Sequence, residues 1–300
     1  MSFTRLSRLL LPVSGLLVLA SAVLFFVTPG PRIGIEFTGG TLLEMNLPEG
    51  KTREDLEQQL EAFRIAEQPL SSISLARTKT DTWFVRIPTL SNEEHTALLT
   101  HLRSSLGTFD ELQYTTIGPT VGRSLKQRAF WALFAATIAI VLYVALAFRS
   151  IPRAFSPWTF GISAIVALVH DILITLGIFT ILSHTTTFQV DTLFVTALLS
   201  IMGYSVSDTI VIFDRIRDNL IQEKGRGDFG AIAERSLRQS FSRTLNTGLG
   251  ALIMLFALFF FGSESIRWFI LALIVGTVVG TYSSFFIATP FLVYSQKKRK

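Results

Sequence analysis

WTFGISAIVALVHDILITLGIFTIL, residues 158–182, is an apolar run whose only ionisable side chains are His170 and Asp171. About 20 predominantly apolar residues are needed for a helix to cross a bilayer core of roughly 30 Å. The run meets that length, so it reads as a membrane span with a carboxylate near its middle. Five further segments qualify, at approximately 9–28, 129–148, 191–213, 244–261 and 268–290. The chain as a whole agrees: mean hydropathy is +0.48 and only 16% of residues are charged, against about 25% in an ordinary soluble domain. The expected fold class is therefore a polytopic α-helical membrane protein with six transmembrane helices. Without Cys, the chain has neither disulfides nor thiolate metal sites.

The first run has some features of a signal peptide, with Arg5 and Arg8 ahead of it and Ala20-Ser21-Ala22 resembling a cleavage site. It continues through Val23-Leu24-Phe25-Phe26-Val27, beyond the length of a signal h-region, and reads as an uncleaved signal anchor (1–28). Lys and Arg then set the topology. With the N-terminus inside, the inner segments hold Arg5, Arg8, Arg149, Arg153, seven basic residues between Arg215 and Arg243, and the tail Lys297-Lys298-Arg299-Lys300. The short outer loops hold only Arg267. Both termini are expected in the cytoplasm, with 291–300 as a basic cytoplasmic tail after the helices of 129–290. The net charge of +5 thus reflects topology and contact with anionic lipid, and no nucleic-acid partner is expected.

Residues 29–128 would then lie outside the cytoplasm. They hold 13 acidic and 11 basic residues, enough to solvate a folded surface. Residues 33–37 and 41–47 read as strand. Thr52-Arg53-Glu54-Asp55 opens a helix with Leu56, Leu60 and Phe63 on one face. Ser72–Arg77 and Trp83–Ile87 alternate as strands around a turn at Lys79-Thr80-Asp81. Ser91-Asn92-Glu93-Glu94 is a capping box opening a second helix buried through Leu98, Leu102 and Leu106, and 110–117 forms the last strand. This is the order of the ferredoxin-like α+β fold. His95 and His101 are expected to be solvated or capping. No nucleophile–base set or metal-ligand cluster stands out, so a binding or lever module is expected, not an enzyme.

Ionisable groups inside spans face the bundle interior and mark pathways. Asp171, beside His170, lies near mid-bilayer, and Asp208 in the cytoplasmic half of the fourth span. Each reads either as a proton or ion relay or as a structural group hydrogen-bonded to a neighbouring helix. Arg243 reads either as a snorkelling interface residue or as a buried cation paired with Asp208. Small residues point to close packing of helices against one another or against a partner: Thr196, Ser200, Gly203 and Ser207 in the fourth span, and Gly276, Gly280 and Ser284 in the sixth. Ala164, Ala167, Asp171 and Thr175 form one stripe of the third.

Five separated stretches carry a resemblance: GIEFTGGT (Gly34–Thr41), ALVHDILITLGIF (Ala167–Phe179), IMGYSVSDTIVIFDRIRDNL (Ile201–Leu220), RQSFSRTLNTGL (Arg238–Leu249) and GTVVGTYSSFFIATP (Gly276–Pro290). Together they resemble the smaller subunit of the SecD/SecF protein-export family, half of an RND-like transporter. Two positions depart from the family pattern. Glu36, among Gly34, Gly39 and Gly40, replaces Asp, and Ser207 stands where Asn is common. The resemblance implies a stand-alone subunit that pairs with SecD beside the SecYEG channel, with YajC among possible accessory subunits and unfolded preprotein as substrate. It implies protons as the coupling ion, no other cofactor, and a proton pathway through Asp208 and Arg243 in a bacterial inner membrane. A passive scaffold for SecD, or half of a proton-coupled lipid or small-molecule transporter, remains as an alternative.

Overall fold

The computed structural model describes residues 3–27, 29–65, 68–70, 73–78, 81–149, 151–152, 155–224 and 227–297. The expected turn residues Lys79 and Thr80, Ser72, Arg153, Arg226 and the tail beyond 297 lie outside them. In chain order the elements are α1 (Phe3–Phe26), α2 (Ile35–Thr38), β1 (Gly40–Met45), α3 (Arg53–Ala62), β2 (Arg64–Ile65), β3 (Gln68–Pro69), β4 (Ser74–Arg77) and β5 (Trp83–Ile87). Then come α4 (Asn92–Leu106), β6 (Glu111–Ile117), α5 (Pro119–Ala147), α6 (Pro157–Thr185), α7 (Thr192–Gln222), α8 (Phe229–Phe261), α9 (Arg267–Ser283) and α10 (Thr289–Lys297). A π-helical turn, Ser284–Ala288, joins the last two. The chain divides into two compact units: one comprises 1–31, 131–182 and 193–300, the other 32–130 and 183–192.

The helical unit is built from six helices long and apolar enough to cross a membrane: 6–26, 119–147, 157–185, 192–222, 229–261 and 264–296. The second and sixth extend beyond the expected spans, and the fourth and fifth do so toward each other. Between α7 and α8 the sequence suggests a basic loop, but α7 continues to Gln222 and α8 begins at Phe229. The reason is helical periodicity: Ile212, Phe213, Ile216 and Leu220 meet Phe229, Ile232, Ala233 and Leu237 in one buried cluster. Asn219 Nδ2 donates to Ser236 Oγ across this hairpin at 2.7 Å, and Arg235 pairs with Glu223 at 2.7 Å. Phe148, Phe160 and Phe213 lock α6 and α7 to the end of α5, with ring centroids 5.2–6.0 Å apart in stacked and edge-on pairs.

The first span docks through polar atoms. The buried residues among those described in α1 are Ser7, Ser14 and Ser21, spaced seven apart. Lipid is as apolar as a leucine surface, so close approach and interhelical hydrogen bonds hold such a helix. The Ser14 and Tyr282 hydroxyls are hydrogen-bonded at 2.7 Å. At Gly177 an added Cβ would lie 2.9 Å from Ser21 Cα, so only glycine admits α1 there.

In the second unit, β4-β5-β1-β6 form an antiparallel sheet, and α3 and α4 supply Leu56, Leu60, Leu98, Leu102 and Leu106 to its core. Both helices open with capping boxes, Thr52 with Asp55 and Ser91 with Glu94. The short β2–β3 hairpin has no counterpart in the sequence reading. His95 is neither solvated nor a cap: its ring stacks on Tyr114 at 3.8 Å and its Nε2 lies 2.8 Å from Glu111 Oε1. Nor is 33–37 a strand. Ile33 makes one parallel bridge to Val190, Gly34 N–H donates to the Val190 carbonyl at 2.8 Å, and Ile35–Thr38 coil into α2. The Glu36 carboxylate accepts from Thr192 N–H at 2.6 Å. The glycine pair follows from backbone geometry. Gly39 and Gly40 have φ of 77° and 127°, where an L side chain is strained, and a Cβ on either would lie 3.0 Å from Pro119 Cα or the Ile87 carbonyl oxygen. The GIEFTGGT motif is thus the joint that closes α2, enters β1 and fastens both to residues 190–192.

Gly177→Ala is expected to lower stability by about 1–3 kcal/mol through overpacking, read from thermal melting of the detergent-solubilised chain. Ser21→Gly in the same chain should recover part of the loss, because it removes the closest clashing atoms.

Candidate functional site

A carboxylate in hydrocarbon must find donors within the protein. Asp171 is wholly buried on α6, in the stripe with Ala164, Ala167 and Thr175, all of them buried. Its Oδ2 accepts from the Ser205 hydroxyl of α7 and from the Ser283 hydroxyl of α9 at 2.8 Å. Its Oδ1 lies 2.9 Å from His170 Nδ1. The His170 ring lies near Tyr282, 6.1 Å between centroids, and its buried Nε2 has no partner among the described residues. Three helices therefore converge on one carboxyl group.

The sixth span reaches it through its small residues. A Cβ on Gly276 would overlap the Ile201 side chain at 2.2 Å, and one on Gly280 would lie 3.1 Å from Ser205 Cβ. The hydroxyls of Ser284 and Thr209 are hydrogen-bonded at 2.8 Å. Residues 276, 280 and 284 therefore meet 201, 205 and 209 in step, as two parallel helices do when both advance four residues per turn. Immediately beyond, the chain makes a π-helical turn over Ser284–Ala288, and the Thr289 hydroxyl donates to the Ser284 carbonyl at 3.0 Å.

Asp208 is held far more loosely. It is half-buried, and its Oδ2 accepts from the Thr281 hydroxyl at 3.0 Å. It borders a cavity of about 10 Å³ lined by Tyr204, Ser205, Thr247, Gly248, Thr277 and Thr281, room for about one water. Ser205 stands on this wall and also donates to Asp171, so one hydroxyl touches both environments.

The expected Asp208–Arg243 pair is not formed. Arg243 is exposed on α8 and makes no ion pair with Asp208, whose hydrogen bond comes from Thr281. The Arg243 carbonyl accepts from Thr247, placing the residue one helical turn from the cavity wall. The small-residue face of α7 is not covered within the chain. Thr196, Gly203 and Ser207 are exposed, and a Cβ on Gly203 would meet nothing within 4 Å. The face that packs on α9 is Ile201, Ser205 and Thr209. Ser205 and Ser283 were not legible as site residues: both lie within motif stretches, but a serine in a span usually bonds its own helix. The signal that finds them is register, since Ser205 lies four residues past Ile201, the residue Gly276 admits, and Ser283 adjoins the Gly276–Gly280–Ser284 row. Among the described residues, no group of three or more His, Asp or Glu side chains is placed to hold a metal ion.

Ser205→Ala and Ser283→Ala should each cost about 1–3 kcal/mol. The double variant should cost more than the sum in a double-mutant cycle, because either hydroxyl alone still satisfies Oδ2.

Residues 98–298 match the family model for the protein export membrane protein SecD/SecF, C-terminal. The chain is 38% identical over 291 residues to the protein translocase subunit SecF of Thermobaculum terrenum, covering 94% of this chain and 90% of that one. It is 36% identical to the SecF of Desulfurispirillum indicum, covering 97% and 90%. Among solved structures it is similar to SecDF of Thermus thermophilus, a translocon-associated membrane protein, with a TM-score of 0.83 and 31% identity. All of this chain is covered there but only 39% of the solved chain. The six spans, the satisfied carboxylate on the third and the length of these matches agree: the chain is a multi-pass membrane protein of the SecD/SecF protein-export family, a SecF-type protein translocase subunit.

Proposed function

We propose that this subunit pairs with SecD and uses the proton-motive force to drive late steps of preprotein translocation across the bacterial cytoplasmic membrane. The observation that carries the reading is Asp208: a carboxylate inside a span, with one hydroxyl donor, on the wall of a small cavity with room for about one water. A purely structural carboxylate is expected to be saturated with donors, as Asp171 is. One that exchanges protons needs a loose shell and a route for the proton.

In this reading both termini are cytoplasmic and residues 32–130 lie on the far side of the membrane, where an unfolded chain emerges from the SecYEG channel. Asp208 takes up a proton through the cavity. Ser205 connects that cavity to Asp171 and His170, whose network holds α6, α7 and α9 around it. Arg243, one turn from Thr247, meets Asp208 in another state of the cycle, when the carboxylate is charged. Repacking of α7 against α8 and α9 then moves the second unit while it holds preprotein. YajC and lipids complete the assembly. The subunit carries out no covalent chemistry and uses no cofactor besides protons. The open face of Thr196, Gly203 and Ser207 on α7 offers SecD a surface for close packing.

Asp208→Asn tests the reading. In inverted vesicles with an imposed proton gradient, export should fall to the level without the subunit, while SecD still co-purifies with the variant. If the subunit is only a scaffold for SecD, the same variant leaves gradient-driven export near normal, or loses SecD altogether. Either result sinks the proposal.

A further inference from the structure

Among the described residues of the second unit, Arg86 has no ion-pair partner and a buried Nε without an acceptor. Arg86 lies on β5, where the core residues Val85 and Ile87 face α3 and α4. Side chains alternate along a strand, so Arg86 projects from the opposite face of the sheet. Its cross-strand neighbours there are Leu42 on β1 and Ser74 on β4, neither of them ionisable. The nearest acid on that face by register is Glu44, and its carboxylate is engaged by the Thr82 hydroxyl at 2.6 Å. Arg86 is half-buried, and its buried Nε has no hydrogen-bond partner among the described residues. A buried N–H without an acceptor is unfavourable, so the arrangement leaves Nε open to an anion from outside the chain.

A second arginine narrows the choice. Arg32 acts on Arg86 through its charge; burial first, and then this like charge, bring the Arg86 pKa down to about 10, so Arg86 remains cationic at neutral pH. Arg32 is fixed at a known level of the chain. Its N–H donates to Ser183 Oγ at 3.2 Å, and its guanidinium donates to the Thr186 carbonyl. Ser183 lies in the last turn of α6, and Thr186 is the first residue past the end of that span. The end of an apolar span marks the headgroup layer. Arg32 stands at that level with Arg86 within reach of its charge, and a guanidinium pair with a free Nε fits the planar and bidentate recognition of phosphate.

We propose that Arg86 and Arg32 form a phosphate-binding site, filled in the membrane by the headgroup of an anionic phospholipid. The inference is independent of the proton-coupling reading. Arg86 supplies the free fork. Arg32, anchored on the end of α6, supplies the second charge.

The test uses the full chain, purified in detergent and delipidated. Its melting temperature is measured alone, with phosphatidylglycerol, with phosphatidylcholine and with inorganic phosphate, for the wild type, Arg86→Gln, Arg86→Lys and the exposed-site control Arg123→Gln. Phosphatidylglycerol should raise the melting temperature of the wild type and the control more than phosphatidylcholine does. Arg86→Gln should lose that difference while melting no lower than the wild type without lipid, because it removes an unpaired charge. Arg86→Lys should keep only part of the difference. An equal rise with inorganic phosphate supports the site and assigns it to free phosphate. A full phosphatidylglycerol effect in Arg86→Gln overturns the proposal. So does an Arg86→Gln chain that melts lower by the same amount with and without lipid, or a wild type stabilised by added SecD and by neither phosphate source. Native mass spectrometry of the wild type is an independent reading: retained phosphatidylglycerol that excess phosphate displaces supports the site, and no preference over phosphatidylcholine rejects it.

Discussion

The helical unit is organised around the need to satisfy one carboxylate where no water is at hand. Asp171 has no exposed surface, and a charged or polar group in hydrocarbon is tolerated only with partners. Its donors come from three helices, so α6, α7 and α9 are constrained together by a single side chain. Ser205 and Ser283 have short side chains, and short donors require close backbones. Gly276 and Gly280 allow that approach, since a Cβ at either would strike Ile201 or Ser205. The π-helical turn follows at once, and its Ser284 carbonyl accepts from the Thr289 hydroxyl. The glycine spacing, the serines and the turn are parts of one solution to one electrostatic problem.

Much of this was legible in the sequence, and the remainder was not, for identifiable reasons. Apolar length marks the six spans without knowledge of their neighbours. The Asp171 stripe and the glycines of the sixth span are periodic signals, and both pack as their periodicity suggests. The capping boxes at Thr52 and Ser91 are local, so they too are readable. Small residues alone do not say which side of a helix is covered. Thr196, Gly203 and Ser207 have the composition of a packing face and are exposed, while α7 packs through Ile201, Ser205 and Thr209. Residues 33–37 have strand composition. The hydrogen bond from Gly34 to Val190 and the cap from Glu36 to Thr192 coil them instead, and both partners lie more than 150 residues away. An Asp208–Arg243 pair is plausible from charge and depth, but neither fixes the rotation of α8 that a contact needs.

The two buried carboxylates are in different physical situations. Asp171 sits in a saturated network whose members restrain one another, which favours a rigid and specific core. Asp208 has one hydroxyl donor and a neighbouring space for about one water. A group that must gain and lose a charge during a cycle cannot have every lone pair fixed, because each fixed donor favours one charge state. The contrast gives the pair distinct roles under the proposed coupling: Asp171 sets the geometry of α6, α7 and α9, and Asp208 is the site free to change. Ser205 links them, standing on the cavity wall while donating to Asp171.

How such a change reaches the second unit depends on covalent connections. Sequence order alone suggests two tethers, from α1 into residue 32 and along α5, which continues from one unit into the other at residues 130–131. The division of the chain adds another, because residues 183–192, between α6 and α7, belong to the second unit. They are held there by backbone bonds, Gly34 to Val190 and Val190 to Arg32, and by Glu36 on Thr192. The helices that carry Asp171 and Asp208 thus run directly into the unit that they are proposed to move. A tilt relayed only through α1 would have to cross a span whose buried residues are three serines. A displacement of α6 or α7 enters the second unit through its own chain, at the joint where the GIEFTGGT motif closes.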